Sequence, residues 1–312
     1  MEPLAPGMRR IGKILRRSSV ATLTVDQIAA RSGQGAPEFI ASVLMGVRPK
    51  GLTTEDRVVS EVPVRIYTPS SAASGPRPLV IYYHGGGFVF GDLRGGDWIA
   101  GTVAHDLDAV VVSADYKLAP KHPFPAGVED CYEVLEWATA NAASLGADAS
   151  RVGVIGESAG GNLAAVVALM ARERGGPAVH HQALLYPVTT TQETPSRIAN
   201  AEAFILTRAD MDRFDELYAG DHTDWRESPL LATSHAGLPP AIIIVAGHDP
   251  LHDDGVLYAD ALRADGVEVK LIDYPAMPHG FMNFPRFARD AAPAMKAVIA
   301  SQRAVLSPVA AV

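Results

Sequence analysis

Arg151-Val-Gly-Val-Ile-Gly-Glu-Ser-Ala-Gly-Gly-Asn-Leu-Ala-Ala-Val-Val-Ala-Leu-Met170 joins two kinds of pattern in one short stretch. Arg151–Ile155 is an apolar run of strand length, and Ala159 to Arg174 reads as a helix. Between them stands Gly156-Glu157-Ser158-Ala159-Gly160, a G-x-S-x-G string on a strand-to-helix turn. Such a turn lifts the serine hydroxyl out of the sheet. The flanking glycines are needed because a Cβ would clash in so sharp a bend. A helix beginning behind the serine leaves the Ala159 N–H free and turns its positive dipole end toward a developing oxyanion. The string alone is a common one, and a tight glycine turn with an incidental serine is the rival reading. The strand–turn–helix setting favours a nucleophile.

Outward from this point a rhythm appears. Apolar runs of strand length occur at Leu79–Tyr83, Ala109–Val112, Val152–Ile155, Ala183–Tyr186, Ala241–Val245 and Val269–Ile272. They are continuous rather than alternating, which suits strands buried on both faces of a parallel sheet. Helical stretches at Gly127–Ala143, Ala159–Arg174 and Asp253–Ala264 separate several of them, and a last helix spans about 289–305. This alternation predicts an α/β layer fold. Upstream, Arg57 to Tyr67 reads as one extended segment ended by Pro69 and Ser70. Between Tyr186 and Ala241 no strand run occurs, only polar and aromatic residues such as Phe214, Tyr218 and Trp225. Long non-sheet insertions of this kind are often functional, and a helical lid is expected there.

His84-Gly85-Gly86-Gly87-Phe88 follows directly on the Leu79–Tyr83 run. Consecutive glycines let backbone N–H groups approach a carbonyl oxygen, as the oxyanion loop of esterases requires. A phosphate loop is the competitor. It is disfavoured because Phe90 stands where a dinucleotide motif needs glycine, and no Lys-Ser/Thr follows. His84 is expected to orient the loop rather than act as a base. A serine at neutral pH needs a base held by a third group, in chain order serine, acid, histidine for this kind of sheet. Asp249 stands at the carboxyl end of the Ala241–Val245 strand, where a parallel sheet places functional residues. His279 stands on the loop after the next strand. Asp253 and Asp254 fall one turn further, where capping a helix N-terminus is their ordinary role. His248 and His252 could instead be read as a metal pair, but Pro250 interrupts a helix between them.

Composition sets outer bounds. The 312 residues carry a formal net charge of −8 with 48% apolar residues. An acidic balance argues against nucleic acid as a partner. The basic cluster Arg9, Arg10, Lys13, Arg16 and Arg17 reads as a solvated helix face. Cys131 is the single cysteine, so no intrachain disulfide forms, which fits a reducing, cytoplasmic setting. No apolar h-region follows the charged start, so no secretory signal is expected. The apolar runs are too short for stable membrane insertion. The alanine-rich end, Ala310 and Ala311, reads as a loose tail.

Together, His84-Gly-Gly-Gly-Phe88, Asp115-Tyr-Lys-Leu-Ala-Pro120, Gly156-Glu-Ser-Ala-Gly-Gly161, Asp249-Pro-Leu251 and His279-Gly-Phe281 resemble the hormone-sensitive-lipase-like family of bacterial carboxylesterases. The resemblance runs from about residue 55 to the end. It implies the α/β-hydrolase fold, a mostly parallel eight-stranded sheet flanked by helices, with a helical cap. Residues 1–50 and 191–235 would form the cap, and 51–190 and 236–312 the two parts of the core. Ser158 would be nucleophile, Asp249 the acid and His279 the base, with Gly85, Gly86 and Ala159 as oxyanion donors and Gly87 completing the loop. The Asp115 segment would be structural.

A small-molecule ester of short to medium acyl chain is the implied substrate, with no cofactor and no metal. Phe88, Phe90, Phe204, Leu206, Phe281 and Met282 are candidates for an apolar acyl pocket, each equally readable as core. Family members are often dimers through the sheet edge, so a homodimer is a further expectation on the same ground. The rival from another class is a binding protein of the same fold that has lost catalysis. Retention of His279 in a complete set argues for an enzyme.

Overall fold

A computed structural model of the chain describes residues 2–15, 19–33 and 43–307. Two of the expected features, the Arg16–Arg17 end of the basic cluster and the Ala310–Ala311 tail, lie outside them.

Eight strands form one sheet: β1 (Leu52–Val59), β2 (Val62–Pro69), β3 (Arg77–Tyr83), β4 (Val110–Ala114), β5 (Ala147–Glu157), β6 (His181–Leu185), β7 (Ala241–His248) and β8 (Val269–Pro278). Their spatial order is β1-β2-β4-β3-β5-β6-β7-β8. β2 runs antiparallel to both β1 and β4, and every other pair is parallel. The apolar runs read from the sequence fall on β3 to β8, with Ala109 and Tyr186 just outside β4 and β6. β3, β4 and β6 are buried along their whole length, as expected of strands covered on both faces.

The extended segment expected at 57–67 is a hairpin. β1 and β2 pair residue for residue, and the chain reverses at Ser60 and Glu61, both at positive φ (48° and 73°). Two-residue hairpin turns with this backbone usually carry Asn-Gly or Asp-Gly. Ser-Glu gives no such signal, so the turn was not legible.

The helices are α1 (Pro6–Leu15), α2 (Val25–Arg31), α3 (Asp97–Leu107), α4 (Ala126–Ala140), α5 (Ala159–Glu173), α6 (Pro195–Ala199), α7 (Arg208–Tyr218), α8 (His252–Ala264) and α9 (Ala291–Leu306), and several of them cover the two faces of the sheet. α5 is buried on every side from Ala159 to Ala171, as a helix apolar all round must be. It packs with α4 and the residues of one sheet face in a single core that runs from Val59 to Val267. The opposite face is covered by α3, α9 and also α1, whose Met8 and Ile11 are buried with Tyr82 and Tyr186. α3 was not anticipated. Its stretch holds glycine and isolated polar residues that blur the helical period.

A third, smaller cluster joins Val20 and Ile28 from the N-terminal region to Val89, Leu217 and Tyr218. Thr24 caps α2 and Thr207 caps α7, each with a reciprocal bond to the third helical residue. Ser19 donates to Asp210 on α7, so the N-terminal segment and the 186–241 insertion are tied together beside the glycine loop.

Candidate active site

Ser158 closes β5 and opens α5. Its backbone sits at φ 57°, ψ −118°, a region costly for a residue with a side chain. Hydrogen bonds hold it there: Ser158 N–H donates to Leu185 O at 2.9 Å and its carbonyl accepts from Asn162 N–H at 3.1 Å. A Cβ at Gly156 would overlap the Gly160 carbonyl, and one at Gly160 would overlap the carbonyls of Tyr83 and His84. Both glycines therefore let the bend press against the ends of its own strand and of β3.

Asp249 follows β7 and is fully buried. One carboxylate oxygen accepts from Leu251 N–H at 2.8 Å, and the other lies 2.7 Å from His279 Nδ1. His279 follows β8, and its Nε2 lies 2.8 Å from Ser158 Oγ. With Nδ1–H donated to the carboxylate, Nε2 is left as the acceptor for the serine proton. The Asn200 amide, just past α6, donates to Asp249 O at 3.1 Å, and the Tyr186 ring stands edge-on to the imidazole at 5.1 Å.

The glycine loop departs from expectation in one residue. Gly85 N–H donates to Glu157 Oε1 at 2.8 Å, so it is already engaged and is not available to a substrate oxygen. Gly86 and Gly87 N–H groups have no protein acceptor among the described residues, and Ala159 N–H, at the first position of α5, has no intrahelical acceptor. Gly86 and Gly87 stand at φ 123° and 62°. A Cβ at Gly86 would overlap the Phe90 carbonyl, and one at Gly87 the Phe214 ring. His84 braces the loop. Its Nδ1 is 2.8 Å from Gly85 O, its ring stacks on Tyr116 at 4.4 Å, and Tyr116 OH donates to its carbonyl at 2.7 Å. Burial lowers the pKa of His84 below the ordinary imidazole value, so the ring is neutral and Nδ1–H is the donor to Gly85 O. This contact shows the Asp115 segment supporting the loop.

Glu157, which the sequence offers only as the variable position of G-x-S-x-G, braces the glycine loop through Gly85 N–H. It is 3% exposed, and burial pushes its carboxyl up to about 7 despite the Gly85 N–H and the nearby Tyr82 and Asn283 side chains. A buried acid is costly without a partner, and that cost was the available signal that something structural must bind it.

Ser158 opens into a cavity of about 500 Å³ between the sheet edge and the insertion. Phe88 and Leu206 line it, together with Ile205, Met211 and Phe214. The other pocket candidates do not. Phe281 and Met282 are core residues beneath α9, Phe204 sits against Gly12 in a surface hollow by the N-terminus, and Phe90 packs edge-on against Phe214. Aromatic type alone could not separate wall from core.

Asp253 and Asp254 are not simple helix caps. Asp254, fully buried, accepts from Arg197 Nη2 at 2.8 Å and from Thr189 N–H at 3.1 Å, and Asp253 accepts from Ser196 N–H at 2.8 Å. Together they fasten α6 to α8. His248 and His252 do not converge on a metal: His248 Nε2 bonds Glu2 O, and His252 pairs with Asp253 and Asp273.

A serine on the bend in mid-sheet, reached by an acid and an imidazole from the loops after the last two strands, β7 and β8, is the arrangement of an α/β-hydrolase. Residues 80–283 match the family model described as alpha/beta hydrolase fold. Carboxylesterase NlhH of Mycobacterium tuberculosis is 45% identical over 247 residues, covering 75% of this chain and 76% of the relative. Carboxylic ester hydrolase LipN of the same species is 45% identical over 259 residues, covering 80% and 68%. The crystal structure of an esterase from Pyrobaculum calidifontis superposes with a TM-score of 0.85 at 35% identity, covering 97% of this chain and 99% of that one. The chain belongs to the hormone-sensitive-lipase-like family of α/β-hydrolases. Among its described residues no helix is long and apolar enough to cross a membrane.

Proposed function

We propose that the protein is a carboxylesterase that hydrolyses short- to medium-chain esters through an acyl-enzyme on Ser158. The hydrogen-bonded chain from Asp249 through His279 to Ser158 Oγ, with spans of 2.7 and 2.8 Å, carries this reading. The esterase names of the relatives point the same way.

In the first step His279 Nε2 takes the Ser158 proton as Oγ bonds to the ester carbonyl carbon. The carbonyl π electrons move onto oxygen, and the N–H groups of Gly86, Gly87 and Ala159 are suited to receive that charge. Collapse of the tetrahedral species expels the alkoxide, protonated by the imidazolium, and leaves the acyl group on Ser158. Water then repeats the sequence: His279 takes its proton, the hydroxide oxygen attacks the acyl carbon, and Oγ leaves with the proton returned. Asp249 keeps the imidazole in the right tautomer and stabilises its cationic form.

The insertion carrying α6 and α7, with the N-terminal α2 beside it, acts as the cap over this cavity. The apolar wall of Phe88, Leu206, Met211 and Phe214 suits an acyl chain, and the cavity volume favours chains of modest length. A dimer through the open β8 edge and a cytoplasmic setting remain parts of this proposal.

Turnover of p-nitrophenyl butyrate by the wild type, abolished in Ser158→Ala, tests it. Near-normal turnover by the variant would overturn it. A series of acyl lengths then locates the substrate preference.

A further inference from the structure

We propose that Asp215, His222 and Glu227 form a binding site for a divalent transition-metal ion of the Zn²⁺ class on the cap wall of the cavity. Asp215 stands on the last turns of α7, His222 on the loop that follows, and Glu227 at the end of the turn leading back to the core. One ligand atom from each lies within 4.8 Å of the other two, and His222 Nε2 is already 3.4 Å from Asp215 Oδ2. Ligand atoms 2.0–2.2 Å from a tetrahedral Zn²⁺ are roughly 3.4 Å apart, so a small inward movement completes the set. Asp215 on α7 and His222 on the loop after it have half-exposed side chains and room to make it.

Glu227 supplies the independent observation. The residue is 5% exposed, yet its Oε2 is buried with no hydrogen-bond partner among the described residues. A buried carboxylate oxygen without a partner is costly, and an oxygen of this same carboxylate lies within 4.8 Å of the ligand atoms of Asp215 and His222. Its placement is built rather than incidental. Glu227 O accepts from the Asn162 amide at 2.7 Å, which fixes it to α5, and Gly220 leaves the space that a Cβ would take from the carboxylate. The nearby cation does not serve it: Arg226 is turned onto Asp224 at 2.7 Å and Glu129 at 3.3 Å.

One imidazole and two carboxylates suit zinc better than calcium or magnesium, which prefer oxygen ligands alone. Three protein ligands leave a position open, and all three residues line the cavity that holds Ser158. A bound ion would also tie α7 to the 221–227 turn and so fasten this part of the cap.

The test is calorimetric titration of the full chain, freed of metal with EDTA and dialysed, with ZnCl₂. One ion per chain is expected, with affinity at least about tenfold weaker in Glu227→Gln and in His222→Ala, and kept in His252→Ala, which removes a separate histidine–acid group. His222 is exposed, so its variant is expected to fold, and a circular-dichroism melt checks this. No saturable binding, wild-type binding in both ligand variants, or loss only in His252→Ala would overturn the site. The readout is metal binding alone, so it does not depend on whether the chain hydrolyses esters.

Discussion

Glu157 and Gly85 are joined by a hydrogen bond of 2.8 Å from the Gly85 N–H to the Glu157 carboxylate. The residue immediately before the serine thereby fixes the first glycine of the facing loop. Two segments more than seventy residues apart in sequence are held in register behind the reacting atoms, and the N–H groups of Gly86 and Gly87 are left over.

The buried carboxyl makes stability depend on pH in a defined sense. Its folded value of about 7 lies above the ordinary 4.5, so between these values the folded state holds a proton that the unfolded state has lost. Stability therefore falls as pH rises through that window, by about 3 kcal/mol for this group. Glu157→Gln is expected to remove this contribution. Urea unfolding at pH 4.5 and pH 7.5 should show a smaller loss in the variant than in the wild type. Equal losses would show that Glu157 does not titrate in this range.

Ser158→Ala, His279→Ala and Asp249→Asn are each expected to lower kcat by a factor on the order of 10³ or more, with the fold retained. Because the three act as one unit, the double variant Ser158→Ala/His279→Ala should be little worse than either single one. Multiplying losses in steady-state kinetics would mean that the two residues act independently.

The legible parts of the structure are those where one local pattern decides the outcome. Continuous apolar runs marked β3 to β8, and the serine turn, Asp249 and His279 stood out as candidates because each lies past the carboxyl end of such a run. Features that depend on long-range partners were not legible. The Ser60-Glu61 turn lacks the usual residues, and α3 has a diluted period. The engagement of Gly85 depends on a side chain seventy-two positions away. The same limit governed the pocket. Phe88 and Phe281 are both aromatic and both next to a motif, yet one lines the cavity and the other is buried in the core.

Arg197 and Asp254 form a buried ion pair between α6 of the insertion and α8. Arg197 also donates to Thr190 O. Removing one partner leaves an uncompensated buried group, so Arg197→Met should cost about 3–5 kcal/mol. The double variant Arg197→Met/Asp254→Leu should recover part of that loss. Denaturant unfolding measures both, and an unperturbed single variant would show that the pair contributes nothing to the attachment of the insertion.

Gly86→Ala places a Cβ against the Phe90 carbonyl at φ 123°, so about 1–3 kcal/mol of stability and most of the turnover should be lost together. Gly75→Ala meets nothing within 4 Å and has no left-handed backbone. It should be neutral or slightly stabilising. The two variants, compared by thermal melting and by kcat, separate backbone geometry at the loop from a general effect of glycine replacement.

The nucleophilic role of Ser158 is tested most directly by covalent labelling with diethyl p-nitrophenyl phosphate, followed by intact-mass and peptide analysis. The expected result is one diethylphosphoryl group per chain, on the peptide containing Ser158, appearing in step with loss of esterase turnover and absent from Ser158→Ala. Complete inactivation with the label on another residue, or full turnover in chains labelled at Ser158, would contradict it.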